Sequence, residues 1–118
     1  MNTEKAELFT PAPEWSGRSD GPGPEHARWH SVINQSTDSP APVTLLGFAS
    51  DEGVLRNGGR QGAAAGPAAL RSALGSLAVH HEHALADAGT ITTQADDLDG
   101  AHDALSNKVQ ELVEAGTL

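Results

Sequence analysis

The chain has 118 residues, no cysteine and a formal net charge of −9, from 16 acidic and 7 basic side chains. It contains no run of lysine and arginine, which argues against nucleic acid and anionic membrane as partners, because both require a positively charged surface. Without cysteine, a disulfide framework, a thiolate metal site and a cysteine nucleophile are excluded. Since no apolar run reaches the roughly 18–20 residues of a membrane helix, we expect a cytoplasmic protein.

Residues 1–34 are predicted to form an amino-terminal arm, partly disordered, with a short helix. Most of this segment is rich in proline, glycine, serine and charged residues, a composition that does not support a packed core. Trp15 is the exception, and we expect this isolated aromatic residue to anchor the arm to the body of the protein. Pro24 is a candidate start for the short helix, in which Trp29 and Ile33 lie four residues apart on one face.

Residues 35–118 are predicted to hold the first strand–loop–helix units of a domain of the α/β class. The apolar run at residues 43–48 is typical of a strand that is buried on both faces in a parallel sheet. A polar, glycine-rich loop follows at residues 49–66, and Pro67 suits the first turn of a helix. The apolar stripe predicted for that helix consists of Leu70, Ala73, Leu74 and Leu77.

The glycine-rich loop is the candidate functional segment, because ligands bind at the carboxyl ends of parallel strands. The candidate substrate-binding residues are Asn57, Gly58, Gly59 and Arg60. The two glycines allow a close approach of the backbone, while the amide and the guanidinium group are suited to a carboxylate. The alternative is a loop whose glycines serve tight turns and whose Arg60 bonds backbone carbonyls. A phosphate-binding loop is disfavoured, since Gly59-Arg60 stands where that motif requires Lys-Ser/Thr.

The second half of the chain gives weaker signals. Residues 85–93 have weak strand character around Gly89. The acidic residues 96–99 suit a helix start, and Gly116 is placed as its stop. The apolar face of this helix consists of Leu98, Ala101, Leu105, Val109 and Leu112. Two helices are predicted, but there are few predicted strands for them to cover. We therefore expect the chain to form one part of a larger domain.

No catalytic residue and no metal ligand are predicted within the chain. His80, His81 and His83 have no second cluster to complete a metal shell, so we interpret them as part of a solvated link. The pair Asp51-Glu52 is expected to fix the loop and the pair Asp96-Asp97 to cap the last helix, and no serine lies in a nucleophile-elbow context.

The run GFASDEGVLRNGGRQGAAAGPAALR, residues 47–71, resembles the opening strand, loop and helix of the ureohydrolase (arginase/agmatinase) superfamily. The shared pattern is a Gly-Val, a polar spacer, Gly-Arg, Gly-Ala and a Gly-Pro that leads into a helix. WSGRSD at residues 15–20 and RWH at residues 28–30 are similar to the branch that acts on N-formimidoyl-L-glutamate. The likeness covers most of residues 15–116.

The resemblance implies the amino-terminal part of a three-layer α/β/α arginase-like fold with a parallel sheet, incomplete in this chain. It makes residues 85–93 a second strand region carrying an Asp-Ala-Gly turn. For the complete enzyme it implies two Mn²⁺ ions and a small amino-acid substrate, which is hydrolysed at its formimidoyl carbon to L-glutamate and formamide. A homo-oligomer is a further possibility for the complete enzyme. The family takes its metal ligands from Gly-Gly-His, Asp-x-His-x-Asp and Asp-x-Asp segments, and none of these occurs here.

We therefore expect the isolated chain to be inactive. Three alternatives stay open: an agmatinase- or arginase-type substrate, a catalytically dead truncation with a scaffolding role, and a non-catalytic small acidic binding module that uses the loop for an anionic metabolite.

Overall fold

The computed structural model describes residues 8–35, 41–80, 84–93 and 97–117. In chain order the elements are β1 (Phe9–Thr10), a 3₁₀ turn (Pro24–His26), α1 (Trp29–Val32), β2 (Val43–Ala49), α2 (Glu52–Arg56), a second 3₁₀ turn (Ala63–Ala65), α3 (Gly66–Gly75), β3 (Leu85–Thr92) and α4 (Leu98–Glu114). The strands form one sheet in the order β1-β3-β2, with β1 antiparallel and β2 parallel to β3. A parallel pair joined through a helix is the unit of α/β folds, so the predicted fold class is confirmed.

Strand β3 is the centre of the sheet and its most buried element. Leu85, Ala86, Ala88 and Ile91 are each at most 3% exposed. From the sequence only weak strand character is predicted here, because alanine, glycine and aspartate have low strand propensity. Strand preference depends strongly on context, and pairing on both sides outweighs the weak local preference.

Strand β2 confirms the strand predicted at residues 43–48, but the prediction that both of its faces are buried is wrong. Val43 is 40% exposed, and the other residues of the strand are half-buried. In the described sheet β2 pairs only with β3, so one edge of the strand remains accessible. An apolar groove of about 140 Å³ lies between β2 and the helix Gly66–Gly75, lined by Leu46, Leu70 and Leu74 among others.

A β-bulge interrupts the pairing of β2 with β3. Leu45 pairs with Asp87 and Gly47 with Thr90, so β3 carries the extra residue that defines a bulge. Gly89 has a φ of +107°, which favours glycine. The resemblance implied an Asp-Ala-Gly turn here; the segment is instead a bulge within a continuous strand.

Helix α3 begins as predicted, with Pro67 in its first turn, but the predicted apolar stripe is only partly buried. Leu70 is 65% exposed, and Leu77, at 51% exposed, lies beyond the helix end. Leu74 packs against the hydrophobic core cluster of Trp15, Ile33 and Leu85. The reason is tertiary: Leu70 borders the apolar groove beside β2 together with Leu74, but no described element covers it there.

The glycine-rich loop contains an element that the sequence analysis missed, the short helix α2. Its five residues are too few to show a helical period. Its start is supported by Ser50, whose hydroxyl oxygen accepts the backbone N–H of Glu52 at 3.1 Å. Serine side chains form local turns of this kind with the backbone two residues on.

Helix α4 has the predicted ends. The Asp97 carboxylate accepts the N–H of Gly100 at 3.0 Å, while Gly116, with a φ of +112°, follows the last turn. Ala101 is buried, whereas Val109 of the predicted apolar face is 46% exposed. Asp96 lies outside the described residues. Within the ranges that the structure describes, no helix has the length and apolarity needed to cross a membrane.

The amino-terminal arm packs on the body through two tryptophans. Trp15 is 8% exposed, and its ring stacks on that of Trp29 at 6.5 Å between centroids. The backbone N–H of Trp29 donates to the carbonyl of Leu77 at 3.0 Å. Trp15 therefore anchors the arm as expected, while the division of the chain at residue 34 stays a prediction.

Replacing Gly89 with alanine is expected to destabilise the protein by about 2 kcal/mol or more, since the left-handed backbone alone costs about 1–2 kcal/mol. An added Cβ would also lie 2.6 Å from the carbonyl oxygen of Thr10. Urea unfolding measures the change. The matched control is Gly53→Ala in α2, where an added Cβ meets nothing within 4 Å and a helical glycine is replaced by a better helix former. Equal stabilities of the two variants would contradict the assignment.

Candidate functional site

The segment between β2 and α3, residues 50–65, which we call the rim loop, is held at its base by one carboxylate. The Asp51 Oδ1 atom accepts the backbone N–H groups of Gly62 at 2.9 Å and Ala64 at 3.1 Å. These hydrogen bonds, that from Gly62 first, lower the pKa of Asp51 below its ordinary value of 3.8. The prediction that Asp51 fixes the loop is confirmed.

The four candidate substrate residues lie together at the exposed tip of the rim loop. Gly58 has a φ of +73°, and the N–H of Gly59 donates to the carbonyl of Val54 at 2.7 Å. This turn reverses the chain after α2, so Asn57 and Arg60 flank it. Among the described residues, neither side chain has a hydrogen-bond partner, and the alternative in which Arg60 bonds backbone carbonyls is therefore not observed. Whether the four residues bind substrate stays a prediction.

An open groove of about 240 Å³ lies beside the base of the rim loop. Pro11 and Pro13 of the arm form one wall, and Pro67 and Ala68 of α3 form the other. Ala49, the last residue of β2, also lines it. The groove is thus at the carboxyl end of β2, the position at which ligands bind in open α/β sheets.

Below this groove lies a buried ion pair that the sequence analysis did not identify. Asp87 is 0% exposed, and Arg71 bonds it in a two-pronged manner, from Nε to Oδ2 at 2.7 Å and from Nη2 to Oδ1 at 2.9 Å. Trp15 Nε1 donates to Oδ2 at 2.8 Å, and the N–H of Gly89 donates to Oδ1 at 2.9 Å. A signal was available for Asp87 alone, since this carboxylate lies between Ala86 and Ala88 in a segment with strand character; the partner Arg71 gave none.

The ion pair has a positioning role and is not a reactive group. Four hydrogen bonds occupy the two oxygens of Asp87, which leaves the carboxylate poorly placed to act as a base or a nucleophile. Arg71 also bonds the hydroxyl of Thr90 and the carbonyl of Gly89, each at 2.7 Å. Charge-assisted, two-pronged pairs of this kind fix geometry strongly.

The described residues do not fit a two-metal centre. Within the parts of the chain that the structure covers, no group of three or more His, Asp or Glu side chains is arranged to hold a metal ion. His80 is exposed, and His81 and His83 lie outside the described residues. No catalytic step through a metal is assigned to these side chains.

Comparison with known proteins assigns the sequence to a family. The sequence pattern of the arginase family matches residues 41–118. The chain is similar to a formimidoylglutamase from Nocardia farcinica, with 45% identity over 108 residues that cover 90% of this chain and 35% of the relative.

Two further relatives give the same result. A formimidoylglutamase from Rhodococcus opacus is 42% identical over 92% of this chain and 35% of its own length. One from Corynebacterium efficiens is 47% identical over 88% of this chain and 34% of its own length. The resemblance seen in the sequence is confirmed, and the chain spans about a third of the length of these curated relatives.

Asp51 is expected to make stability depend on pH. Its folded pKa is lowered by the backbone bonds, so its contribution is complete above the unfolded pKa and is lost as the pH falls through the folded pKa. Asp51→Asn should therefore lose less stability than the native chain when the pH is lowered from 6 to 3. The pKa of Asp20 is also lowered, by Arg28 and then by Arg18. Its contribution to stability is lost in acid to the same extent in both proteins, so it does not affect the comparison.

Urea unfolding at several pH values measures this difference. Glu52→Gln is the matched control, because it removes a neighbouring carboxylate and none of the bonds to Gly62 and Ala64; it should retain the native pH dependence. Parallel pH profiles for Asp51→Asn and the native chain would contradict the assignment.

Proposed function

Because this chain belongs to the arginase family, we propose that it is the amino-terminal part of a cytoplasmic, manganese-dependent formimidoylglutamase. Such an enzyme hydrolyses N-formimidoyl-L-glutamate to L-glutamate and formamide in histidine breakdown. The observation that carries the proposal is the identity of 42–47% to three proteins of that name along nearly the whole chain.

The chemistry of the rim loop supports an acidic substrate. N-formimidoyl-L-glutamate carries two carboxylates, and a chain of net charge −9 repels such an anion unless a local positive charge attracts it. Arg60 supplies this charge at the exposed tip, and a guanidinium group matches the geometry of a carboxylate. Asn57, on the other side of the turn, offers an amide to the same ligand.

The same chemistry disfavours agmatine as the substrate. Agmatine carries no carboxylate and two positive charges, so an exposed arginine would repel it. In the proposed enzyme, Arg60 and Asn57 bind and orient the acidic end of the substrate. The two Mn²⁺ ions would be held by other residues of the complete enzyme, because the described side chains form no ligand cluster.

A chimeric enzyme tests this proposal. The present chain replaces the matching 108 residues of the Nocardia farcinica relative, and formamide release from N-formimidoyl-L-glutamate is assayed with Mn²⁺. We expect the chimera to be active and the 118-residue chain alone to release no formamide. A folded, manganese-loaded chimera without activity would refute the proposal, and formamide release by the chain alone would refute its assignment as an incomplete enzyme.

Within an active chimera, Arg60→Ala is expected to raise KM for N-formimidoyl-L-glutamate about tenfold, since a hydrogen bond to a charged group contributes about 1.5–3 kcal/mol. The value of kcat should change little, because the contact is made equally in the ground state and the transition state. Steady-state kinetics give both constants.

The matched control is Arg56→Ala, which removes the same charge from the exposed end of α2 and should leave KM within about twofold, as its charge is screened by solvent. Equal effects of the two substitutions would indicate a general charge effect and would exclude a specific role for Arg60.

A further inference from the structure

The bond between Trp15 and Asp87 goes beyond what anchoring an arm requires. Packing with Ile33 and Leu85 in the core cluster already buries the indole ring. Its N–H in addition reaches a carboxylate 72 residues along the chain, at 2.8 Å and fully buried. A tryptophan that only filled a hydrophobic space would need no more than a nearby acceptor for this N–H group.

The acceptor atom is shared with helix α3. The Oδ2 atom of Asp87 receives Trp15 Nε1 at 2.8 Å and Arg71 Nε at 2.7 Å. The arm and the helix therefore bond the same oxygen atom, and the position of that atom depends on both of them. The hydrogen bonds of a buried network of this kind are coupled, so the loss of one bond weakens the others.

Helix α3 transmits this position to the rim loop. The 3₁₀ turn Ala63–Ala65 runs directly into Gly66, and Asp51 accepts the amide of Ala64 in this turn and that of Gly62 just before it. At the same end of the helix, Pro67 packs against Gly47 so closely that a Cβ added to the glycine would lie 3.0 Å from the Cβ of the proline. A shift of α3 would thus displace the base of the loop.

The arm also contacts the other end of α3. A Cβ added to Gly75 would lie 2.3 Å from the carbonyl oxygen of Ser16, and the N–H of Arg18 donates to the hydroxyl of Ser76 at 2.9 Å. Residues 15–18 therefore hold the helix both at its sheet-facing side and at its carboxyl end.

We infer that Trp15 is a positioning residue for the rim loop, acting through Asp87, Arg71 and helix α3. The ligand that the loop receives rests on the proposed function, whereas the mechanical coupling does not. The inference assigns the amino-terminal arm a part in shaping the candidate site.

Residue-resolved hydrogen exchange by NMR on the 118-residue chain tests the coupling. Trp15→Phe keeps an aromatic ring and removes the N–H donor. We expect exchange of the Gly62 and Ala64 amides to become about tenfold faster, while exchange in α4 stays within about twofold, because local openings need not involve the whole structure.

Trp29→Phe is the matched control. It reduces the same aromatic stack but leaves the bond from Trp15 to Asp87 intact, so the Gly62 and Ala64 amides should keep their native exchange within about twofold. Ser76→Ala, which removes the exposed contact to Arg18, is a milder second variant and should accelerate the same two amides by about two- to threefold.

Three results would overturn the inference: no change at Gly62 and Ala64 in Trp15→Phe, equal changes in the two tryptophan variants, or faster exchange throughout β3 and α4. The last result, which a globally unfolded variant also gives, would assign Trp15 to overall stability alone. The exchange measurement involves no catalysis, so a failure there is distinct from a failure of the proposed function. In the active chimera, Trp15→Phe should raise KM and leave kcat unchanged.

Discussion

The architecture depends on neutralising one carboxylate that has no access to water. Asp87 is 0% exposed, and an unpaired charge at such a position costs several kcal/mol. Its partners come from three parts of the chain: Trp15 in the arm, Arg71 in α3 and the N–H of Gly89 in the bulge. Because the pair is satisfied only when all three are in place, it determines the rotation of the helix, the docking of the arm and the local path of β3.

The features that the sequence predicted have local causes. Pro67 at a helix start, Asp97 as a cap and Gly116 after a last turn act within a few residues, so they can be recognised without knowledge of the fold. The features that it missed are tertiary. Arg71 and Asp87 pair across 16 residues, and no periodicity reveals a contact of this kind. The incorrect stripe on α3 has a tertiary cause as well, since Leu70 borders a groove beside β2 that no described element covers.

The candidate site likewise has one feature that the sequence predicts and others that it does not. Its location could be predicted, because a glycine-rich segment follows a recognisable strand and loops in this position bind ligands. Its internal construction could not: α2 is too short to give a pattern, and the bonds from Asp51 to Gly62 and Ala64 join the two ends of the loop. The result is a segment with a fixed base and an accessible tip, an arrangement suited to orienting a ligand without a rigid pocket.

The unpaired side of β2 has a consequence for the behaviour of the protein in concentrated solution. In the described sheet this strand offers a row of free backbone donors and acceptors next to an apolar groove that Leu70 borders, a combination that promotes self-association. Mutual repulsion between molecules of charge −9 opposes this contact. Since that repulsion vanishes near the isoelectric point of about 4.8, mild acid and high salt are the conditions under which the chain should precipitate first.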